Sequence, residues 1–213
     1  MVSRRLIGTA TTDSNGNAVL EDGYTGTGAG LVDIIAQTTI DEQSVVSQPY
    51  DVLDCIFYDE GIVNPNTNWD CAYVTRSEET NGTKFLATST SASARASMNP
   101  LDNSTAYDFT PQPMVFEADI VAINIPSGDI GMQFIQQNPP VNKQIKLTAN
   151  DVGHNIKIKY TGTALECYVD DVHQSNRDIT VSYHHDSELM RIGFSLYAQN
   201  GYVIVKNVKA YPI

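Results

Sequence analysis

Residues 154–174 read HNIKIKYTGTALECYVDDVHQ, and the period of this stretch decides the fold class. Ile156, Ile158 and Tyr160 fall on one phase, with Lys157 and Lys159 on the other. A strand sends successive side chains to opposite faces, so this pattern describes one apolar and one wetted face. Thr161-Gly162-Thr163 reads as a hairpin turn, after which Leu165, Cys167 and Val169 resume the same period.

Outward from there the pattern repeats. Met114, Phe116, Ala118 and Ile120 share a phase opposed by Glu117 and Asp119; Ile130, Met132 and Phe134 line up, as do Ile192, Phe194 and Leu196. Val203 and Val205 share a phase that Val208 leaves, which predicts a bulge near Lys206-Asn207. Asn200-Gly201 is the expected turn of a closing hairpin. No 3.6-residue stripe competes, and many short strands with turns between them predict an all-β, antiparallel jelly-roll sandwich. The last strand is expected beside residues 52–57, bringing both ends of the sandwich together.

Composition agrees. Val, Ile, Thr and Tyr are plentiful, with 14 Gly and 9 Pro among 213 residues. The formal charge is −12, from 25 acidic against 13 basic residues. Thinly spread Lys and Arg argue against nucleic acid as a partner, since phosphate binding needs a basic patch. No run of 18 apolar residues offers a membrane span, and MVSRRLIGTA lacks the apolar core of a signal peptide. Cys55, Cys71 and Cys167 show no metal-type spacing and are expected as reduced, mostly buried thiols. A Cys55–Cys71 bridge is the alternative.

Two resemblances organise the chain. GTATTDSNGNAVLEDGYTGTGAGLVDIIAQTT, residues 8–39, resembles the second half of the bacterial immunoglobulin-like repeats of adhesins and phage structural proteins, a pattern extending to about residue 48. Only half such a repeat is present, and a sheet must cover its apolar face with another layer. Residues 1–50 are therefore expected to form a truncated immunoglobulin-like docking segment, buried against other chains in a trimer or dimer. Gln48-Pro49-Tyr50-Asp51 marks the junction, and residues 51–213 form the larger unit. Within it, residues 154–174 followed by MRIGFSLYAQNGYVIVKNVKAYPI resemble the closing half of concanavalin A-like, laminin-G-like jelly rolls, a likeness covering about residues 112–213. Together the resemblances imply a non-enzymatic virion surface protein: a head fibre, capsid decoration or tail-associated module of a phage or related prokaryotic virus. It would be made in the host cytoplasm, contact other virion proteins and display a lectin-like domain. The alternative is a carbohydrate-binding adhesin module that recognises host-surface or mucus glycans.

Chemistry-bearing patterns are few. Laminarinase-like glycosidases on this jelly roll carry a Glu-x-Asp-x-x-Glu strand. Glu117 and Asp119 match its first two acids, as nucleophile and assisting carboxylate, but the third position is Ala122. Double displacement needs two carboxyl groups, one attacking and one donating a proton, so no catalytic residue and no enzyme is expected. His184-His185-Asp186, His173 and Asp170-Asp171 are the metal candidates. Adjacent histidines on a strand face opposite ways, and Asp170-Asp171 reads as a turn. No metal site or cofactor is expected, although a structural calcium fits the range of this superfold. There is no nucleophile elbow, phosphate loop or dinucleotide fingerprint. For sugar stacking the candidates are Trp69, Tyr73, Tyr107, Tyr183 and Tyr197, with core burial weighed against the sugar role for Trp69. Asn81-Gly82-Thr83 and Asn103-Ser104-Thr105 match the glycosylation pattern, discounted without a secretory signal.

Overall fold

A computed structural model describes residues 30–34, 37–40, 43–46, 50–54, 57–62, 69–91, 93–98, 113–136, 141–181 and 190–213, with residues 9 and 11. In chain order the strands are β1 Gly30–Ile34, β2 Gln37–Ile40, β3 Gln43–Val46, β4 Tyr50–Asp54, β5 Phe57–Asp59 and β6 Trp69–Ala72. Next come β7 Val74–Glu79, β8 Gly82–Ala87, β9 Arg95–Met98, β10 Met114–Asn124, β11 Ile130–Gln136 and β12 Val141–Lys146. The series ends with β13 Asn155–Tyr160, β14 Ala164–Val169, β15 Val172–His173, β16 Ile179–Thr180, β17 Met190–Leu196 and β18 Tyr202–Pro212. Two 3-10 turns, Ala149–Asp151 and Ser175–Arg177, are the helical pieces among the described residues.

Two antiparallel sheets make the sandwich. The first follows β15-β14-β13-β10-β18-β8-β7, with β16 also on β14 and β5 also on β18. The second follows β12-β11-β17-β9-β6. The expected jelly-roll sandwich is what forms. Apart from it, β1 pairs with β4 and β2 with β3, so backbone pairing links residues 30–34 to 50–54 across the expected junction. The rest of the immunoglobulin-like pattern, before residue 30, lies outside the described residues except for 9 and 11.

Side-chain parity explains the packing. Met114, Phe116, Ala118 and Ile120 of β10 are at most 1% exposed, and Ile156, Ile158 and Tyr160 of β13 are fully buried. From the opposite sheet Ile130, Met132, Phe134, Ile192, Phe194 and Leu196 meet them, also fully buried. A chain of aromatic rings ties the layers. Phe194 lies 5.3 Å from Phe116 and 5.7 Å from Phe85, while Trp69 lies 4.7 Å from Phe85 and 5.0 Å from Phe57. Such edge and offset contacts suit the ring quadrupole.

The expected bulge is present. Asp119 faces Lys206 but Glu117 faces Lys209, so β18 spends an extra residue there, and Asn207 takes φ +51°. The extra residue returns Val208 and Ala210 to the core phase, where both are fully buried. Beyond it, Val208–Ala210 pairs with Phe57–Asp59, close to the expected contact with residues 52–57.

The closing hairpin is corrected. Asn200-Gly201 does turn the chain, with Asn200 at φ +62°, but β17 and β18 belong to different sheets. Both long edges of β17 are taken by β11 and β9, and β18 is held by β10 and β8. The turn therefore carries the chain across the sandwich. A Cβ at Gly201 would meet the Ala198 Cβ at 2.7 Å and the Asn124 carbonyl at 3.0 Å, so the crossing admits only glycine without a shift. The Thr161–Thr163 turn does form the expected hairpin, with Gly162 at φ +98°.

Cys71 and Cys167 are free thiols. Burial, then the neighbouring Asp70 charge, pushes Cys71 up to about 11, and burial also raises Cys167. Cys55 lies outside the described residues.

Candidate functional site

β10 runs through the middle of the larger sheet, and its off-core phase carries Val115, Glu117 and Asp119 on the face turned away from the sandwich. Register then dictates their neighbours, because directly opposed residues share a face. Glu117 stands opposite Lys157 on one side and Lys209 on the other. Lys157 stands opposite Tyr168, Tyr168 opposite His173, and Lys209 opposite Tyr58. One transverse row, His173-Tyr168-Lys157-Glu117-Lys209-Tyr58, thus crosses the sheet. At roughly 4.8 Å per neighbouring strand it extends about 24 Å.

The centre of the row is locked. Lys157 Nζ lies 3.4 Å from Glu117 Oε2 and Lys209 Nζ lies 3.2 Å from Oε1. The Tyr211 hydroxyl donates to Oε2 at 3.2 Å. Asp119 accepts from Asn155 Nδ2 at 2.9 Å and from Asn207 Nδ2 at 2.8 Å, so the bulge residue doubles as a clamp. Burial pulls Lys157 down, but its bond to Asp171 and the charge of Glu117 outweigh this and leave it above its usual value. Glu117 is 7% exposed.

The ends of the row are more open. Tyr58 is 44% exposed. Tyr168 stacks one ring face on His173 at 4.9 Å, and its hydroxyl donates to Glu166 at 2.8 Å, which raises its pKa. Farther along the same face, Lys84 Nζ sits 4.7 Å over the Tyr202 ring. The face offers rings fixed by neighbours, amides already oriented and charges already matched.

Glu117 and Asp119 share the off-core face of β10, and a second bulge lies just beyond them. Ile120 opposes Val205 but Ala122 opposes Ile204, so the extra residue in β10 turns Ala122 onto the face of Glu117. The third position of the Glu-x-Asp-x-x-Glu pattern thus reaches the same face, and the residue there is alanine. Glu117→Gln is expected to destabilise the fold by about 2 kcal/mol, because two lysines lose their shared counter-charge at a buried position. Urea unfolding measures it; an unchanged midpoint would contradict the lock.

The aromatic candidates are scattered. Trp69 belongs to the core, 8% exposed, with Nε1 donating to buried Asp59 at 2.8 Å and rings packed against it. That corrects the sugar-stacking role: no ring face is left open. Tyr73 is 57% exposed at φ +55°, between β6 and β7. Tyr197 is half-buried beyond β17 and accepts from Asn142 Nδ2 at 3.1 Å. Tyr107 and Tyr183 lie outside the described residues, as do His184, His185 and Asp186. Asp170 and Asp171 form the β14–β15 turn at φ +47° and +65°. Asp170 pairs with His154 at 2.6 Å, and His173 with Asp178 at 2.9 Å. Among the described residues no three His, Cys, Asp or Glu converge as a metal site would require.

Tyr58, Tyr168, Tyr202 and Tyr211 were missed by sequence reasoning, yet parity could have found them. Each stands one position from a buried core residue, as Tyr168 does after Cys167.

No protein-family model and no curated protein matches this chain. Among solved structures it is similar to carbohydrate-binding module CBM66 from Bacillus subtilis, at 13% identity and TM-score 0.42, covering 68% of this chain and 96% of that one. It is also similar to a sialidase, at 11% identity and TM-score 0.49, covering 84% of this chain but only 21% of the other. A third is an endo-β-1,3-glucanase from Pyrococcus furiosus, at 13% identity and TM-score 0.37, covering 83% and 97%. Such identities transfer no residue role.

Proposed function

We propose that this chain is a non-enzymatic carbohydrate-binding β-sandwich that lays an extended glycan along the Tyr168–Tyr58 row. The observation that carries the reading is the row itself: a tyrosine on either side, Tyr168 and Tyr58, with lysines locked on Glu117 between them. A pyranose ring has an apolar C–H face for stacking and a rim of hydroxyls for hydrogen bonds. Tyrosine rings serve the first and the Lys, Asn and Glu groups serve the second. The non-catalytic part of the reading is supported by the engagement of both Glu117 oxygens and by alanine at position 122, where the glycosidase pattern has its proton donor. Affinity electrophoresis in gels containing soluble polysaccharides, with a glycan array, tests the proposal. Retardation by at least one polysaccharide without release of sugar is expected; no interaction with any glycan, or turnover, overturns it.

Display of the sandwich on a virion surface by residues 1–50 is the finer reading. It is supported by the immunoglobulin-like pattern of residues 8–48 and is compatible with glycan binding. Absence of the chain from purified particles, by mass spectrometry, would sink it.

A further inference from the structure

A second feature lies apart from the row, where the open edge of the smaller sheet meets the end of the larger one. The β12 edge, the 3-10 turn Ala149–Asp151 and the segment from Val169 to Ile179 border an open groove of about 650 Å³. Its size falls within the usual range for small-molecule sites. Ile145, Val169 and Ile179 give it an apolar lining, and Gln144, Asn150, His154, Gln174 and Arg177 a rim of planar polar groups.

The rim is built, not incidental. Arg177 Nη1 donates to Asp151 Oδ1 at 2.7 Å, and Nη2 donates to the Lys146 carbonyl at 2.7 Å and to Asp151 Oδ2 at 3.2 Å. The Asp151 side chain is 4% exposed and also accepts from the Thr148 amide at 2.7 Å. One arginine therefore clamps β12, the first 3-10 turn and the second into a fixed wall, so little side-chain ordering remains to oppose a ligand. Gln144 is fixed as well, its Oε1 accepting from the Ser195 hydroxyl.

Charge then selects the ligand. Both permanent cations of the groove already have their own carboxylates, Arg177 with Asp151 and Lys146 with Asp129 at 2.9 Å, and the His154 ring is hydrogen-bonded to Asp170 at 2.6 Å. An anionic ligand would have to displace one of these partners, and a cation would find the acids taken. An uncharged ring with an apolar face and several hydroxyls needs neither. We propose that this groove is a second binding site, for a single neutral saccharide residue, independent of the row on the larger sheet.

Saturation-transfer NMR of the full chain tests this with two sets of probes: neutral methyl glycosides of common hexoses, and the matching methyl uronates. At least one neutral glycoside is expected to bind, and Asn150→Ala and Gln174→Ala, both outside the clamp, to weaken it about tenfold with an unchanged melting temperature. Tyr168→Ala should leave that binding intact. Preference for the uronate, no glycoside binding up to about 100 mM, insensitivity to both groove variants, or loss of binding in Tyr168→Ala would each overturn it. The last outcome places the sugar on the row and leaves the reading of the larger face standing.

Discussion

Phe194→Ala should destabilise the sandwich by about 4 kcal/mol, the middle of the range for a buried aromatic truncation. The ring is fully buried and touches Phe85 and Phe116 of one sheet and Trp69 of its own. Removing it empties space where the two layers meet, and the backbone has little freedom to fill it. β17 is laddered on both edges, and a Cβ at neighbouring Gly193 would already come within 2.1 Å of the Ala96 carbonyl. The strand cannot slide or tilt toward the void, so most of the cavity should persist. Thermal unfolding should show the midpoint falling by roughly 10 °C for a domain of this size. Phe194→Leu, which keeps most of the volume, should lose less than half as much. A loss below about 1 kcal/mol for the alanine variant would mean that the layers do not depend on this ring.

How far the sequence carried the fold follows from what each signal encodes. Alternation in β10 and β13 names core residues directly, because parity is a local property of a strand. The Lys206-Asn207 bulge was legible for the same reason, as a break in the phase between Val205 and Val208. Sheet membership was not legible at Asn200-Gly201. A tight turn looks the same whether it joins neighbours or crosses between layers, and only the occupancy of both β17 edges decides the matter. The site was harder still. Trp69 drew notice as the single tryptophan, yet a buried acceptor, Asp59, holds its indole in the core. Tyr168 and Tyr58 join a common row through four strand pairings, three of them between residues far apart in sequence. No spacing in the chain records that register.

The same row sets the largest functional effect. Tyr58→Ala with Tyr168→Ala should weaken binding of a polysaccharide retained by the unaltered chain by roughly 30- to 160-fold, taking about 1–1.5 kcal/mol for each lost aromatic contact. The two rings stand near opposite ends of the row, with Lys157, Glu117 and Lys209 between them, so their effects should add. Stability should change little. Tyr58 is 44% exposed, and Tyr168 loses only a stack on exposed His173 and a bond to half-buried Glu166. That separation makes the test decisive. A substitution at Trp69 would abolish binding by unfolding the chain, whereas this pair removes ring faces and leaves the core and the Lys157–Glu117–Lys209 lock in place. Affinity electrophoresis against the retained polysaccharide gives the ratio, with a melting curve as control. Full affinity in a folded double variant would show that the glycan does not lie on this face, however well the unaltered protein binds it.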